Sequence, residues 1–176
     1  AATADSVAEY TDQPFDLIIL NSVIQYFPNA AYLSRVLQDA LSATSADGNI
    51  FIGDVRSLPL LPAFHAAILC QTPESISDRL KLSRQAKRNI DAEEELVIDP
   101  RFFNDLAARD ERISAIGMTL KRGRGDNEMN RFRYDVRLQV AGTPAAEPAG
   151  GVVTLDGADE PTWRREIETD HPAAVC

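Results

Sequence analysis

Phe15-Asp16-Leu17-Ile18-Ile19-Leu20 and Asn49-Ile50-Phe51-Ile52-Gly53-Asp54-Val55 decide the fold. Both are short, nearly continuous apolar runs, the pattern of strands buried on both faces of a parallel sheet. Between them Asn29 can cap a helix in which Leu33, Val36, Leu37, Ala40 and Leu41 recur at three- and four-residue spacing, until Asp47-Gly48 stops it. Strand, helix and strand make a βαβ unit, expected as a right-handed crossover within a parallel sheet.

Downstream, Leu60, Leu61, Phe64, Ala67 and Ile68 predict a helix over 59–70 with one apolar face. From Ser75 to Leu96 a basic half (Arg79, Lys81, Arg84, Lys87, Arg88) precedes an acidic half (Asp91, Glu93, Glu94, Glu95). Such a segment reads either as a solvated helical surface or as a mobile lid over a site. Pro100 opens a short helix through Phe102, Phe103 and Leu106, and Ile113 to Leu120 reads as a strand. Residues 122–127 form a turn rich in breakers. From Arg131 to Val140 polar residues alternate strictly with Phe132, Tyr134, Val136, Leu138 and Val140, the period of a half-buried antiparallel strand. The sheet is therefore expected to be mixed, with parallel strands and an antiparallel hairpin at one edge. Residues 141–151 read as a low-complexity linker, and 152–176 as one more strand, near Val152 to Leu155, and a helix around Trp163.

The 176 residues, 44% of them hydrophobic, suffice for one core. The formal net charge of -9 argues against sequence-independent binding to nucleic acid or to an anionic membrane. The longest nearly uncharged apolar stretch, Leu58 to Cys70, falls short of the ~20 residues of a membrane span and carries Pro59, Pro62 and His65. The start lacks a signal-peptide pattern. Two cysteines, Cys70 and Cys176, form no metal or redox spacing, which points to a reducing, cytoplasmic setting.

In an open α/β sheet, ligands sit beyond the carboxyl ends of parallel strands, here Asn21-Ser22 and Gly53-Asp54-Val55-Arg56-Ser57. Asn21, Ser22 and Gln25 offer amides and a hydroxyl to an uncharged ligand, and Tyr26 and Phe27 offer aromatic faces. Alternation along an extended segment puts Asp54 and Arg56 on one side, where they could pair with each other or receive a substrate amine and carbonyl. His65, in an apolar helix, reads as a core histidine. No Cys/His zinc cluster, phosphate-cradling glycine loop or nucleophile elbow occurs.

Three motifs in order carry a family resemblance: 15–28 with Tyr32-Leu33, then 50–57, then Asn127-Glu128-Met129-Asn130-Arg131-Phe132-Arg133-Tyr134-Asp135-Val136. They resemble the methyltransferase domains embedded in nonribosomal peptide synthetases over about residues 15–140, and more weakly at Leu155-Asp156-Gly157 and Trp163-Arg164-Arg165. The resemblance implies a class I (Rossmann-like) methyltransferase fold. It implies S-adenosyl-L-methionine as cofactor and N-methylation of an aminoacyl thioester on a carrier domain. By position, Asn21, Ser22, Gln25 and Tyr26 would line the cofactor pocket, and Asp54 and Arg56 would face the methyl and the amine. Glu128, Arg131 and Tyr134 would close the acceptor side, with Asp54 the first candidate for proton acceptor and Glu128 the second.

The family's first strand and glycine-rich turn should precede Phe15, and no G-x-G-x-G occurs. The expectation is therefore a fragment: 1–140 the C-terminal half of the domain, then the linker, then a truncated final strand and helix. Such a piece is expected to be inactive alone, its strand 15–20 left as an open edge for the missing half or for another chain. The alternatives are a noncatalytic module pairing through that edge, or a C- or O-methyltransferase of the same fold.

Overall fold

The computed structural model describes residues 13–70, 79–121, 127–142, 152–153 and 174–175. The chain divides into two units, Ala1–Thr143 and Pro144–Cys176. In the first, β1 (Phe15–Asn21), α1 (Ala30–Ala43) and β2 (Thr44–Arg56) form the expected βαβ unit, with β1 and β2 parallel. Next come α2 (Leu61–Leu69), α3 (Arg79–Asp91), α4 (Arg101–Arg109), β3 (Ile113–Leu120), α5 (Glu128–Phe132) and β4 (Arg133–Val140). The sheet order is β1-β2-β4-β3, with β4 antiparallel to both neighbours. This is the mixed α/β sheet with an antiparallel edge hairpin read from the sequence. In the second unit, β5 (Val152–Val153) pairs in parallel with β6 (Ala174–Val175). The weaker motif positions and the Trp163 helix lie outside the described residues.

One face of the sheet carries the core. Leu33, Leu37, Ala40 and Leu41 of α1 pack against Ile50, Ile52 and Val55 of β2 and against Tyr134, Val136 and Leu138 of β4. Phe103 of α4 is fully buried, its ring edge-on to Tyr134 at 6.3 Å. α1 begins where its cap predicts, with the Asn29 side chain accepting from the Tyr32 N–H at 2.9 Å. Removing that acceptor in Asn29→Ala is expected to cost about 1 kcal/mol in urea denaturation. An unchanged midpoint would refute the cap.

Three boundaries differ from the sequence reading. α1 ends at Ala43, four residues before Asp47, because Thr44 is already extended and its hydroxyl donates back to the Ala40 carbonyl at 2.8 Å. The Asp47-Gly48 breaker instead marks a register shift, since Phe15 pairs with Thr44 but Leu17 pairs with Asn49. Asp47 is left-handed there (φ 65°), and a Cβ on Gly48 would lie 2.6 Å from the Thr44 methyl. At the other end of the chain's alternating run, Asn127 caps α5 through its side-chain oxygen, so 128–132 are helical and the strand starts at Arg133.

β1 is not buried on both faces. Ile18 and Leu20 pack against the core, but Leu17 and Ile19 are 53% and 59% exposed. Among the described residues β1 pairs only with β2, which leaves the open edge expected for this strand. On the apolar face of α2 Leu61 is buried, Phe64 and Ala67 are half-buried, and Leu60 and Ile68 are exposed. No helix among the described residues is long and apolar enough to cross a membrane.

Candidate functional site

The carboxyl ends of β1 and β2 lie side by side; the chain bends at Ser22, and β2 shifts register between Ile52 and Val55. Ser22 and Asp54 adopt left-handed backbone (φ 56° and 62°), which costs most non-glycine residues of the order of 1–3 kcal/mol. Both are held by one network. The Ser22 hydroxyl donates to Asp54 Oδ2, the Asn21 amide donates to the Ser22 hydroxyl at 3.3 Å, and the Ser22 N–H donates to the Gly53 carbonyl at 3.2 Å. A Cβ on Gly53 would collide with the Asn21 side-chain oxygen, so glycine lets Asn21 lie across the end of β2.

Asp54 is 5% exposed. The Lys121 ammonium lies 2.7 Å from Asp54 Oδ1 and 2.7 Å from Asp135 Oδ1, and the Asp54 backbone N–H donates to Asp135 at 2.9 Å. Burial pushes the Asp54 carboxyl up. The hydrogen bonds from Lys121 and Ser22, and the charges of Lys121 and Arg133, outweigh it and hold Asp54 below the usual aspartate value.

Arg56 does not pair with Asp54. The left-handed turn at Asp54 and the register shift between Ile52 and Val55 break the alternation that would have put them together. Its guanidinium instead grips Glu93 through both terminal nitrogens and Glu95 through one, all at 2.8 Å, and lies over the Phe64 ring at 5.1 Å. The hydrogen bond from Arg56 draws Glu93 below its usual value despite the opposing effect of burial. His65 Nε2 stands 3.3 Å from the same carboxylate, so this core histidine faces an anion. Asp91 and Glu94 of the acidic half stay exposed, but Arg56 draws in Glu93 and Glu95. Residues 93–98 strap across the strand ends, with the Leu96 N–H on the Gln25 carbonyl (2.8 Å) and the Ile98 N–H on that of Arg56 (2.9 Å).

An open cleft of about 440 Å³ brings Arg56 and Glu128 together, walled also by Phe64, Glu93, Glu94 and Arg133. Glu128 accepts from Arg133 at 3.1 Å. Arg133 thereby joins the cleft to Asp54, whose carboxyl feels its charge. Gln25 is buried, and among the described residues its side-chain oxygen has no hydrogen-bond partner, a rare state for a buried acceptor. Tyr26 is 73% exposed, and Arg131 is exposed on α5. Tyr134 does not face the acceptor side. Its side chain is in the core and its hydroxyl donates to the Ile98 carbonyl at 3.0 Å, with burial pushing the phenol up.

Lys121, Asp135, Arg133 and Glu93 were missed as site residues. The alternation of β4 held a signal for two of them, since its polar positions 133 and 135 face away from the core and toward Asp54. Lys121 and Glu93 reach the site only through the fold.

No family model matches the chain. The likeness of the motifs to nonribosomal peptide synthetases is borne out over most of the chain. It is 43% identical over 163 residues to chondramide synthase of Chondromyces crocatus, covering 93% of the chain and 4% of that protein. To the beauvericin nonribosomal cyclodepsipeptide synthetase of Beauveria bassiana it is 36% identical (89% of the chain, 5% of that protein), and to cyclosporin synthetase of Tolypocladium inflatum 32% identical (76% and 1%). The chain therefore spans a small part of the relatives it matches. Among solved structures, the N-methyltransferase NodS of Bradyrhizobium japonicum aligns with 81% of the chain and 59% of its own length at 12% identity and TM-score 0.41.

Proposed function

We propose that this chain, a member of the methyltransferase domains embedded in nonribosomal peptide synthetases, forms part of a site that N-methylates an aminoacyl thioester held on a carrier domain in the cytoplasm. The Ser22–Asp54–Lys121 network carries this reading, because it places a fixed, buried anion at the carboxyl ends of two parallel strands, where ligands of such sheets bind.

S-adenosyl-L-methionine, when bound, supplies an electrophilic methyl on a sulfonium. This chain offers it Asn21, Ser22, the Gln25 oxygen, which has no partner among the described residues, and the exposed Tyr26 ring, a neutral, hydrogen-bonding set suited to a nucleoside. The methyl-transfer chemistry would be a displacement in which a new N–C bond replaces the S–C bond and the bonding pair stays on sulfur. The amine loses a proton, and Asp54 is the carboxylate that receives it, with Glu128 the second candidate. Before that step the same carboxylate orients the amine lone pair by accepting its N–H, which is where alignment enters the rate. Arg56 and Arg133 hold the carboxylates of the cleft, and Arg131 stands on its acceptor side.

In calorimetry on the full-length synthetase that carries this segment, S-adenosyl-L-methionine is expected to bind. Gln25→Leu should weaken it by about 3- to 10-fold, the worth of one neutral hydrogen bond. No binding by the unaltered protein sinks the reading. The exposed Leu17 and Ile19 on the open edge of β1 favour a second reading, a noncatalytic module that pairs through that strand. A monomer in sedimentation at high concentration counts against it.

A further inference from the structure

We infer that Lys121 is a positioning residue for this site, which holds the Asp54 carboxylate ionised and pointed in one direction. The inference rests on the methyltransferase reading and deepens it.

Lys121 follows directly on β3, and its ammonium sits between two carboxylates from two other strands, 2.7 Å from Asp54 Oδ1 on β2 and 2.7 Å from Asp135 Oδ1 on β4. Asp54 has its other oxygen on the Ser22 hydroxyl from the end of β1. The two oxygens are thus held by different elements, Oδ1 by an ion pair and Oδ2 by a hydrogen bond, and rotating the carboxylate breaks one of the two contacts. Asp135 completes the clamp, because the same oxygen that faces Lys121 accepts the Asp54 backbone N–H at 2.9 Å. Arg133 is the second cation whose charge acts on Asp54.

Without Lys121, Asp54 and Asp135 would share a partly buried space with no ammonium between them. Like charge and burial then both favour the protonated acid at Asp54. A protonated Asp54 cannot accept the N–H of a neutral amine at the oxygen that carries the proton. The lysine therefore decides over which pH range Asp54 is an acceptor. A bare structural clip between β2, β3 and β4 would affect stability and leave that range alone.

Lys121→Met and Lys121→Arg in the full-length synthetase test this by the pH profile of methyl transfer, with circular dichroism reporting folding. Lys121→Met is expected to move the acidic limb about one pH unit or more toward neutral, the effect of removing one close opposite charge, and Lys121→Arg to restore most of it. In the 176-residue chain, carbon-13 NMR of the Asp54 carboxyl should show its titration displaced the same way. An Asp54 titration that stays in place in Lys121→Met overturns the inference, as does an acidic limb that stays in place while the titration moves. If the unaltered synthetase transfers no methyl, the methyltransferase reading fails and takes the positioning role with it. That failure is told apart because the Asp54 titration still shifts in Lys121→Met.

Discussion

Arg56→Ala is expected to destabilise the protein by about 1–3 kcal/mol, the cost of leaving a part-buried carboxylate without its charged hydrogen-bond partner. The side chains of Arg56 and Glu93 are 10% and 14% exposed, and two of the three hydrogen bonds from the guanidinium go to Glu93. With the arginine gone, Glu93 would keep Phe64 beside it and, among the described residues, His65 Nε2 at 3.3 Å. Strap and strand are coupled here, because the Arg56 carbonyl also receives the Ile98 N–H. Arg56→Lys should recover little, since an ammonium cannot form the two parallel bonds. Arg56→Met with Glu93→Gln should lie closer to the parent than Arg56→Ala alone, because neither charge is then buried.

The acid behaviour follows from the same pair. The folded Glu93 value is lowered from the usual 4.5, so its contribution is present above that pH and is lost as the pH falls through the folded value. Urea denaturation of the parent should show this loss in acid, and Arg56→Ala should lack the part due to Glu93. A cost below about 1 kcal/mol at neutral pH would mean that Arg56 and Glu93 behave as an exposed pair.

The sheet was legible from local pattern, since β1 and β2 carry nearly continuous apolar runs and β4 alternates. β3 was read to the residue, and β4 declared itself by alternation, since one of its faces packs on α1 and α4 and the other is polar. The Asn29 cap was legible for the same local reason. What escaped was set by long-range pairing. Glu93 looks like one of a run of surface charges because its partner lies 37 residues away, and nothing local shows that Arg56 will draw it in. Asp54 and Arg56 were placed on one side by a parity rule that a single left-handed residue invalidates. A lone lysine before the stretch Arg122-Gly123-Arg124-Gly125 has no spacing to announce it, so Lys121 emerges only once β3 is laid against β4. Tyr134 misled in the opposite way, since its motif position implied a site while its period assigned it to the core.

Asp54→Asn is expected to lower the rate of methyl transfer by about 10²- to 10⁴-fold, the usual contribution of a positioned general base. The substitution is chosen because it keeps shape and burial. An asparagine oxygen can still accept from the Ser22 hydroxyl, and asparagine tolerates the left-handed backbone at this position at least as well as aspartate. What it removes is the charge. The amide cannot receive the amine proton, and Lys121 is left with Asp135 as its carboxylate. The loss should fall on kcat, with S-adenosyl-L-methionine binding in calorimetry nearly unchanged, because Asn21, Gln25 and Tyr26, the groups proposed to meet the nucleoside, are untouched. Glu128→Gln, in the cleft with Arg56, separates the two candidates for proton acceptor: the larger loss marks the base. Methyl transfer by Asp54→Asn within about tenfold of the parent would remove Asp54 from that role, since an amide cannot replace a general base.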